Sequence, residues 1–511
     1  MALHRALSND DIVSYILEDF RAPTRHTAFV PTHLDVARGK QWKTLASCAR
    51  VSRAFSEPAL RLLWRELPSL LPFLSLGLSL VEVKPGIISS SFGSDIDDLD
   101  SDILDMPSLW VAEEGPAQQG LQRLAHFASL IRRVSLPTSE TVDPTIFFCL
   151  SRANMNQPLL PMVEGIKCIT SPHLDMIIMS LAGHSLRELI ILKNARAPSY
   201  HGEVSRESHA VNRLLECIGR LRELRSLRLE FWSYESWLEP FIHTLAKLDH
   251  LCHLALPYED YIEEDAPPMR EGFPQLRRLR FAGHRYDDME YFGSLAKIMP
   301  PIRLEYLDVA DAFVDNFMED HSEFDDFFAT YVDTLSTVKL DLQSDDEDDP
   351  TAQFPVFNIL RPLMRLHCLQ VCKISFAEKF VFAEHGLRNV RGVWPYLQVF
   401  TLTWKHSHRA GAAPSFDDIV DFIWECPQLM VLKLSAVCVN GKPKSCMKFN
   451  GLPPDFVVED ARIRDPTSFA NVLRELFPAI RISKTLSGTP GKWGIVLSRL
   501  RRTNKSRSTG H

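Results

Sequence analysis

Basic charge, glycine and long apolar runs are what this chain of 511 residues has little of. Lys and Arg number 57 against 65 Asp and Glu, a formal net charge of −8. A general nucleic-acid binder concentrates basic surface against phosphate, so that class is set aside. Glycine numbers only 22 against 33 prolines, which argues against folds whose tight glycine turns cradle phosphates. The uncharged stretch Leu67 to Val81 is 15 residues long and contains Pro68, Pro72 and Gly77. A membrane helix needs about 20 apolar residues, so no membrane segment is expected. Ten cysteines at this length do not make a disulfide scaffold. Cys48, Cys149, Cys168, Cys217, Cys252, Cys372 and Cys426 stand beside apolar positions and read as small buried hydrophobes in a reducing compartment. The opening MALHRALSNDD has no apolar core ahead of its acidic pair, so no secretory leader is expected and the chain reads as cytoplasmic or nuclear.

Catalytic and metal motifs are also missing. In SGTPGKWG, Ser487 to Gly494, Leu486 and Trp493 stand where a phosphate loop needs glycine and a hydroxyl residue. His250, Cys252 and His253 would divide between two faces of a strand, and His406 and His408 have no third ligand nearby in sequence. Cys438 and Cys446 have the wrong spacing for a zinc knuckle. The acidic residues between Asp311 and Asp326 read as a solvated face rather than a carboxylate pair in a cleft. The expectation is a chain without metal, cofactor or enzymatic chemistry.

What is there begins with a helical pattern. Ser8 and Asp11 have capping-box spacing, and Ile12, Val13, Ile16, Leu17 and Phe20 follow at helical spacing. Residues 21–41, with Pro23, Pro31 and Gly39, read as a loop. A second helix is expected from about Thr44 to Phe55. A third starts at Glu57–Pro58, with Leu60, Leu63, Trp64 and Leu67 on its apolar face. Three short helices bury too little surface to be very stable by themselves and need something to lean on. Residues 95–105 hold six Asp, and Asp345 to Asp349 form a second acidic run; both read as exposed loops. Arg499 to Arg507 reads as a basic tail.

Between these segments a degenerate unit recurs, in which three apolar residues follow one another at spacings of three and then two. Its copies are Ile131–Val134–Leu136, Leu186–Leu189–Ile191, Leu224–Leu227–Leu229, Leu251–Leu254–Leu256, Leu276–Leu279–Phe281, Leu304–Leu307–Val309, Leu335–Val338–Leu340, Leu369–Cys372–Ile374, Leu397–Phe400–Leu402 and Leu429–Leu432–Leu434. The last two positions of each copy alternate, which predicts a short strand with both side chains facing inward. From Leu224 onward the copies recur every 25 to 34 residues, leaving room for a returning helix. Trp237 to Leu248, Ser415 to Cys426 with Asp418 as its capping-box partner, and Pro466 to Phe477 fit such helices. No unit buries its own apolar face, so the units are expected to stack into a right-handed, curved solenoid with parallel strands. A doubly wound α/β domain is the competing reading; it predicts glycine-rich turns after strands and varied strand spacing, and the repeated triplet and low glycine count favour the solenoid.

The first 67 residues also resemble a known family. Leu7-Ser8-Asn9-Asp10-Asp11-Ile12 with Ile16-Leu17, then Leu45 to Phe55, then Pro58-Ala59-Leu60 and Leu63 to Leu67 look like the opening, middle and end of an F-box. The chain is similar to the F-box-like proteins of mushroom-forming fungi that carry a leucine-rich-repeat-like array behind the box. The implied fold is α/β: an F-box-like helical module over 1–68, a connecting segment with an acidic loop over 69–120, a leucine-rich-repeat-like solenoid over 121–486, and a basic tail over 487–511. The resemblance implies a substrate-recognition adaptor of a Skp1–cullin–F-box ubiquitin ligase, which binds a Skp1-like protein and through it a cullin. The repeat array would hold a protein substrate for transfer chemistry done by other subunits. Leu7, Ile12, Ile16, Leu45, Val51, Phe55, Leu63 and Trp64 are the candidates for the adaptor interface or its support. The alternative is a ligase-independent interaction scaffold whose N-terminal helices cap the solenoid. On the substrate side Trp404, Arg285 and Tyr286 are the candidate anchors. The acidic runs would either attract a basic partner or keep the chain soluble.

Overall fold

The structure is a computed structural model. It describes residues 10–18, 33–83, 108–137, 140–171, 173–192, 204–230, 238–257, 269, 271–282, 299, 302–313, 322–343, 356–379, 387–390, 392–405, 413–439, 455–463, 465–477 and 494–500. The acidic segments 95–105 and 345–349 and residues 501–511 lie outside these residues, whereas 494–500, expected as part of the basic tail, form a helical turn that buries Val496, Leu497 and Leu500 against the fold. The chain divides into two compact units, Met1–Phe231 and Trp232–His511.

In the first unit three helices come first: α1 (Asp10–Glu18), α2 (His33–Val51) and α3 (Arg53–Arg65). The second begins well ahead of Thr44, inside the expected loop; a lone Gly39 costs a helix about 1 kcal/mol, which the remaining residues outweigh. The third starts at Arg53, not at the Glu57–Pro58 step, and Pro58 lies buried within it. It runs directly into β1 (Glu66–Leu67), followed by α4 (Leu71–Leu74), β2 (Leu80–Val83), β3 (Ser108–Ala112), α5 (Gln118–Ala128), β4 (Arg133–Ser135) and β5 (Glu140–Val142). The remaining elements are α6 (Pro144–Ala153), β6 (Gly165–Ile169), α7 (Leu174–Leu181), β7 (Glu188–Leu192), α8 (Val204–Arg220) and β8 (Ser226–Leu229). Strands β1, β4, β6, β7 and β8 are parallel neighbours in that order. A separate small sheet pairs β3 antiparallel with β2 and parallel with β5. Its approach to α5 is a backbone crossing: a Cβ on Gly120 would sit 2.8 Å from the Gly77 carbonyl oxygen.

The second unit contains α9 (Leu238–Leu245), β9 (His253–Pro257), β10 (Arg278–Ala282), β11 (Tyr306–Phe313), α10 (Ser322–Thr330), β12 (Thr337–Gln343) and α11 (Val356–Leu363). It continues with β13 (Val371–Lys379), β14 (Val399–Lys405), α12 (Phe416–Glu425), β15 (Val431–Val439), β16 (Asp455–Ile463) and α13 (Pro466–Leu476). Its strands β9 to β16 pair in chain order, each parallel to the next. Neither unit reverses strand order, which is the mark of a stacked repeat rather than a doubly wound sheet.

The triplets lie where the alternation places them. All three positions are buried in every copy from Leu186 to Leu434. The first copy departs at its end, because β4 stops at Ser135 and Leu136 is only half-buried. One unit escaped the sequence pattern: Val163, Ile166 and Cys168 are buried in the same way on β6. A fourth apolar position precedes the triplet by three residues. Leu221, Leu248, Phe273, Leu366, Trp394 and Cys426 are buried there, and each carbonyl accepts the N–H of the first triplet residue, as Leu248 does from Leu251 at 3.2 Å and Trp394 from Leu397 at 3.2 Å.

Units are joined by a repeated backbone device. The carbonyl before most strands accepts two successive N–H groups from the next unit. Cys252 accepts from Arg277 and Arg278, both at 3.0 Å, Glu305 from Ser336 and Thr337, and Gln398 from Met430 and Val431. In the first unit Arg132 and Glu164 do the same. Helices then close the apolar side, as where Phe400 of β14 meets Phe422 of α12 with ring centroids 5.0 Å apart. The buried Trp394 indole N–H donates to the Leu363 carbonyl at 3.0 Å.

Helix caps were partly legible. Ser415 accepts from the Asp418 N–H and its hydroxyl donates to the Asp418 carboxylate at 2.7 Å. Asp465 caps α13, and its bonds from the Ser468 hydroxyl and the Ser468 and Thr467 N–H groups hold its carboxyl below the usual range. Of the seven cysteines expected to be buried, Cys168, Cys217, Cys372 and Cys426 are, Cys48 and Cys252 are half-buried, and Cys149 is exposed, because Ile146, Phe147 and Leu150 take the inward face of α6. Burial pushes the Cys372 and Cys426 thiols up to about 12.

Two outcomes are expected. Leu402→Ala should lower stability by ~2–5 kcal/mol, while Thr401→Ala on the opposite face should stay within ~0.5 kcal/mol, both read by guanidinium unfolding. The Asp465 cap should contribute above the ordinary carboxylate range and be lost as pH falls through its depressed folded value. Thermal melts between about pH 6 and about pH 3 should therefore show a smaller acid loss in Asp465→Asn than in the wild type.

Candidate functional site

The helical module is small. Val13, Leu17, Leu45 and Ala59 form its fully buried centre, with Cys48, Ala49, Phe55, Leu62 and Leu63 packed around them. Val13 and Leu17 stand four residues apart on α1 and therefore share one face. Ile16 lies off that face and is 42% exposed, beside Tyr15 at 80%. Val51 ends α2 and is 74% exposed.

The candidate adaptor residues thus divide. Leu45, Phe55 and Leu63 belong to the module's interior, whereas Ile16 and Val51 are presented to solvent. Trp64 faces the next element instead, its ring 4.5 Å from that of Phe127 on α5. The backbone follows the same route: Arg132 N–H donates to the Arg65 carbonyl at 2.9 Å, and Leu67 registers with Val134. Arg65 and Glu18 add an ion pair at 3.7 Å across the module. Leu7 lies outside the described residues, as does the side chain of Ile12.

On the substrate side one expectation is overturned. Trp404 is only 4% exposed and is no surface anchor. The strand β14 runs three residues past Leu402, so Trp404 keeps the inward parity of Phe400 and Leu402, and its backbone N–H donates to the buried Ser435 hydroxyl at 2.8 Å. Arg285 and Tyr286 lie outside the described residues. The signal that identifies the outward residues is the same alternation, read one position off the triplets.

That outward face of β9 to β15 has a definite chemistry. Tyr306 on β11 is flanked by cations from the strands on either side, with the Arg278 guanidinium 5.8 Å and the Lys339 ammonium 4.9 Å from its ring centre. Its hydroxyl donates to the Asp308 carboxylate at 3.0 Å. Burial, then the charge and hydrogen bond of Asp308, hold the phenol well above its ordinary range, so it stays a donor. Next to it, the Ser375 hydroxyl donates to Asp341 at 2.7 Å.

The first unit has a groove of about 490 Å³ between α7 and α8, lined in part by His173, Asp175, Met179, Arg213 and Cys217. Asp175 is held by Arg213 at 3.2 Å. Burial, then the Asp175 charge, pushes the Cys217 thiol up to about 12, the reverse of the lowered value a nucleophilic cysteine needs. Among the described residues no three His, Cys, Asp or Glu side chains are grouped to hold a metal ion. No described helix is long and apolar enough to cross a membrane.

No family model matches the chain, and no curated protein matches it. Among solved structures, the crystal structure of the Rad7 and Elc1 complex in yeast is similar at 11% identity with a TM-score of 0.27, over 65% of this chain and 77% of that one. A likeness that loose decides neither fold nor function.

The split between interior and exposed residues is measurable. Leu17→Ala and Leu45→Ala should each cost ~2–5 kcal/mol, whereas Ile16→Ser and Val51→Ser should stay within ~0.5 kcal/mol in the same melts. Trp404→Ala should behave as a core truncation costing ~3–5 kcal/mol.

Proposed function

We propose that the chain is the substrate-receptor subunit of a Skp1–cullin–F-box type ubiquitin ligase. Its helical module binds a Skp1-like adaptor, and its repeat units hold a protein substrate. The observation that carries this reading is the module itself: a centre of four fully buried side chains with Tyr15, Ile16 and Val51 left in water. The F-box-like sequence of the same segment supports it. On this reading the chain supplies no chemistry and uses no cofactor. It works by raising the effective concentration of a substrate lysine near the conjugating enzyme.

A second reading keeps the repeat units and assigns the helices only a capping role. It is favoured by the entry of α3 into the sheet through β1 and by the Trp64–Phe127 stack. The two readings part at the exposed residues, because a cap has no use for Ile16 and Val51.

Co-expression of the full chain with a Skp1-like protein, followed by size-exclusion chromatography, tests the choice. The adaptor reading expects a stable complex that the double variant Ile16→Asp, Val51→Asp weakens by at least ~10-fold without a change in melting temperature. A folded wild-type chain that elutes free of the adaptor would leave the capping role in place.

A further inference from the structure

We infer that the outward sheet face of the second unit is a docking surface for an acidic, extended polypeptide segment. Parallel register places Arg280, Asp308, Lys339, Lys373, Thr401 and Lys433 on one line across β10 to β15. Arg278 lies on the neighbouring line beside His253 and Tyr306. Across β10 to β15 five cations thus share the face with Asp308 and Asp341, and Asp455 follows on β16, although the whole chain carries a net charge of −8. Lys373 and Arg278 are exposed, and Arg280, Lys339 and Lys433 are half-buried.

The arrangement works against the sheet. Lys339 and Lys373 are direct register partners on the same face, and opposed like charges destabilise a strand pair. Signs alternate over Arg280, Asp308 and Lys339, and the alternation fails at Lys373. The two acids are already engaged by hydroxyl donors, Tyr306 for Asp308 and Ser375 for Asp341. An anion laid across Lys339 and Lys373 relieves the repulsion of that pair.

The form of the ligand follows from the form of the charge. The cations lie in a line, not around a point, so a single small anion meets too few of them. At about 4.8 Å between strands the line is ~24 Å long, which an extended segment of ~7 residues spans. A nucleic-acid strand fits less well: Asp308 and Asp341 interrupt the line against a continuous phosphate backbone, and the aromatic ring that would stack a base is already flanked by Arg278 and Lys339.

This inference rests on the substrate-receptor reading only for its biological use, since the binding is measured without any Skp1-like protein. The probe is a fluorescein-labelled, Asp- and Glu-rich peptide titrated into the purified full chain, read by anisotropy. Binding should weaken as salt is raised, and Lys339→Glu with Lys373→Glu should weaken it by ~10-fold or more. The milder Lys373→Gln should weaken binding and at the same time raise the melting temperature, a combination that a merely structural lysine would not give. Unchanged affinity in Lys373→Gln would overturn the proposal. So would equal binding of a Lys-rich peptide, or tighter binding of a single-stranded RNA of the same charge. Failure of the Skp1 co-elution would leave these outcomes untouched, so the two proposals fall separately.

Discussion

One carbonyl per repeat, accepting two N–H groups from the next, is the constraint on which the rest depends. Backbone donors that leave water must find acceptors, and a short strand flanked by turns has few within reach. By sharing the Cys252, Arg277, Glu305, Ser336, Gln370 and Gln398 carbonyls in succession, the second unit fixes each strand's register to its predecessor. Once that register is fixed, the buried positions fall into continuous lines, from Leu254 through Leu279, Leu307, Val338, Cys372 and Phe400 to Leu432. Each apolar side chain then meets its counterpart two units at a time, and no single repeat has to bury its own.

The same register has a second consequence on the opposite face. Residues that tolerate exposure are forced into lines as strict as those of the core, whether or not their charges agree. That is how Lys339 comes to oppose Lys373, and how Tyr306 comes to sit between Arg278 and Lys339. A repeat architecture turns separate sequence positions into an extended surface, which suits the holding of a polypeptide better than the enclosure of a small molecule.

The helical module depends on a different balance. Its interior is small, and it gains support by continuing into the first sheet through Arg65, Glu66 and Leu67. Trp64 serves that continuation. Tyr15, Ile16 and Val51 are left exposed by the packing of the described residues.

Local period was sufficient to place much of this fold in advance. Alternation by two and a recurring spacing located the buried positions of nine strands, and the Ser415–Asp418 pair announced the start of α12. The copy at Val163, Ile166 and Cys168 escaped because a cysteine ends it and a short helix follows, so its spacing was lost in a long gap. Trp404 was misjudged as an anchor although the alternation already pointed it inward; what was not legible was that β14 continues to Lys405. For the candidate surfaces, composition gave only a negative total charge. Which cations share a line depends on the pairing of residues some thirty positions apart, and hydrogen bonds between strands set that pairing, not neighbours in the chain. Helical spacing put Ile16 in the same stripe as Val13 and Leu17, and only the packing of α2 and α3 against one side of that stripe decided which residues it buries and which it leaves in water.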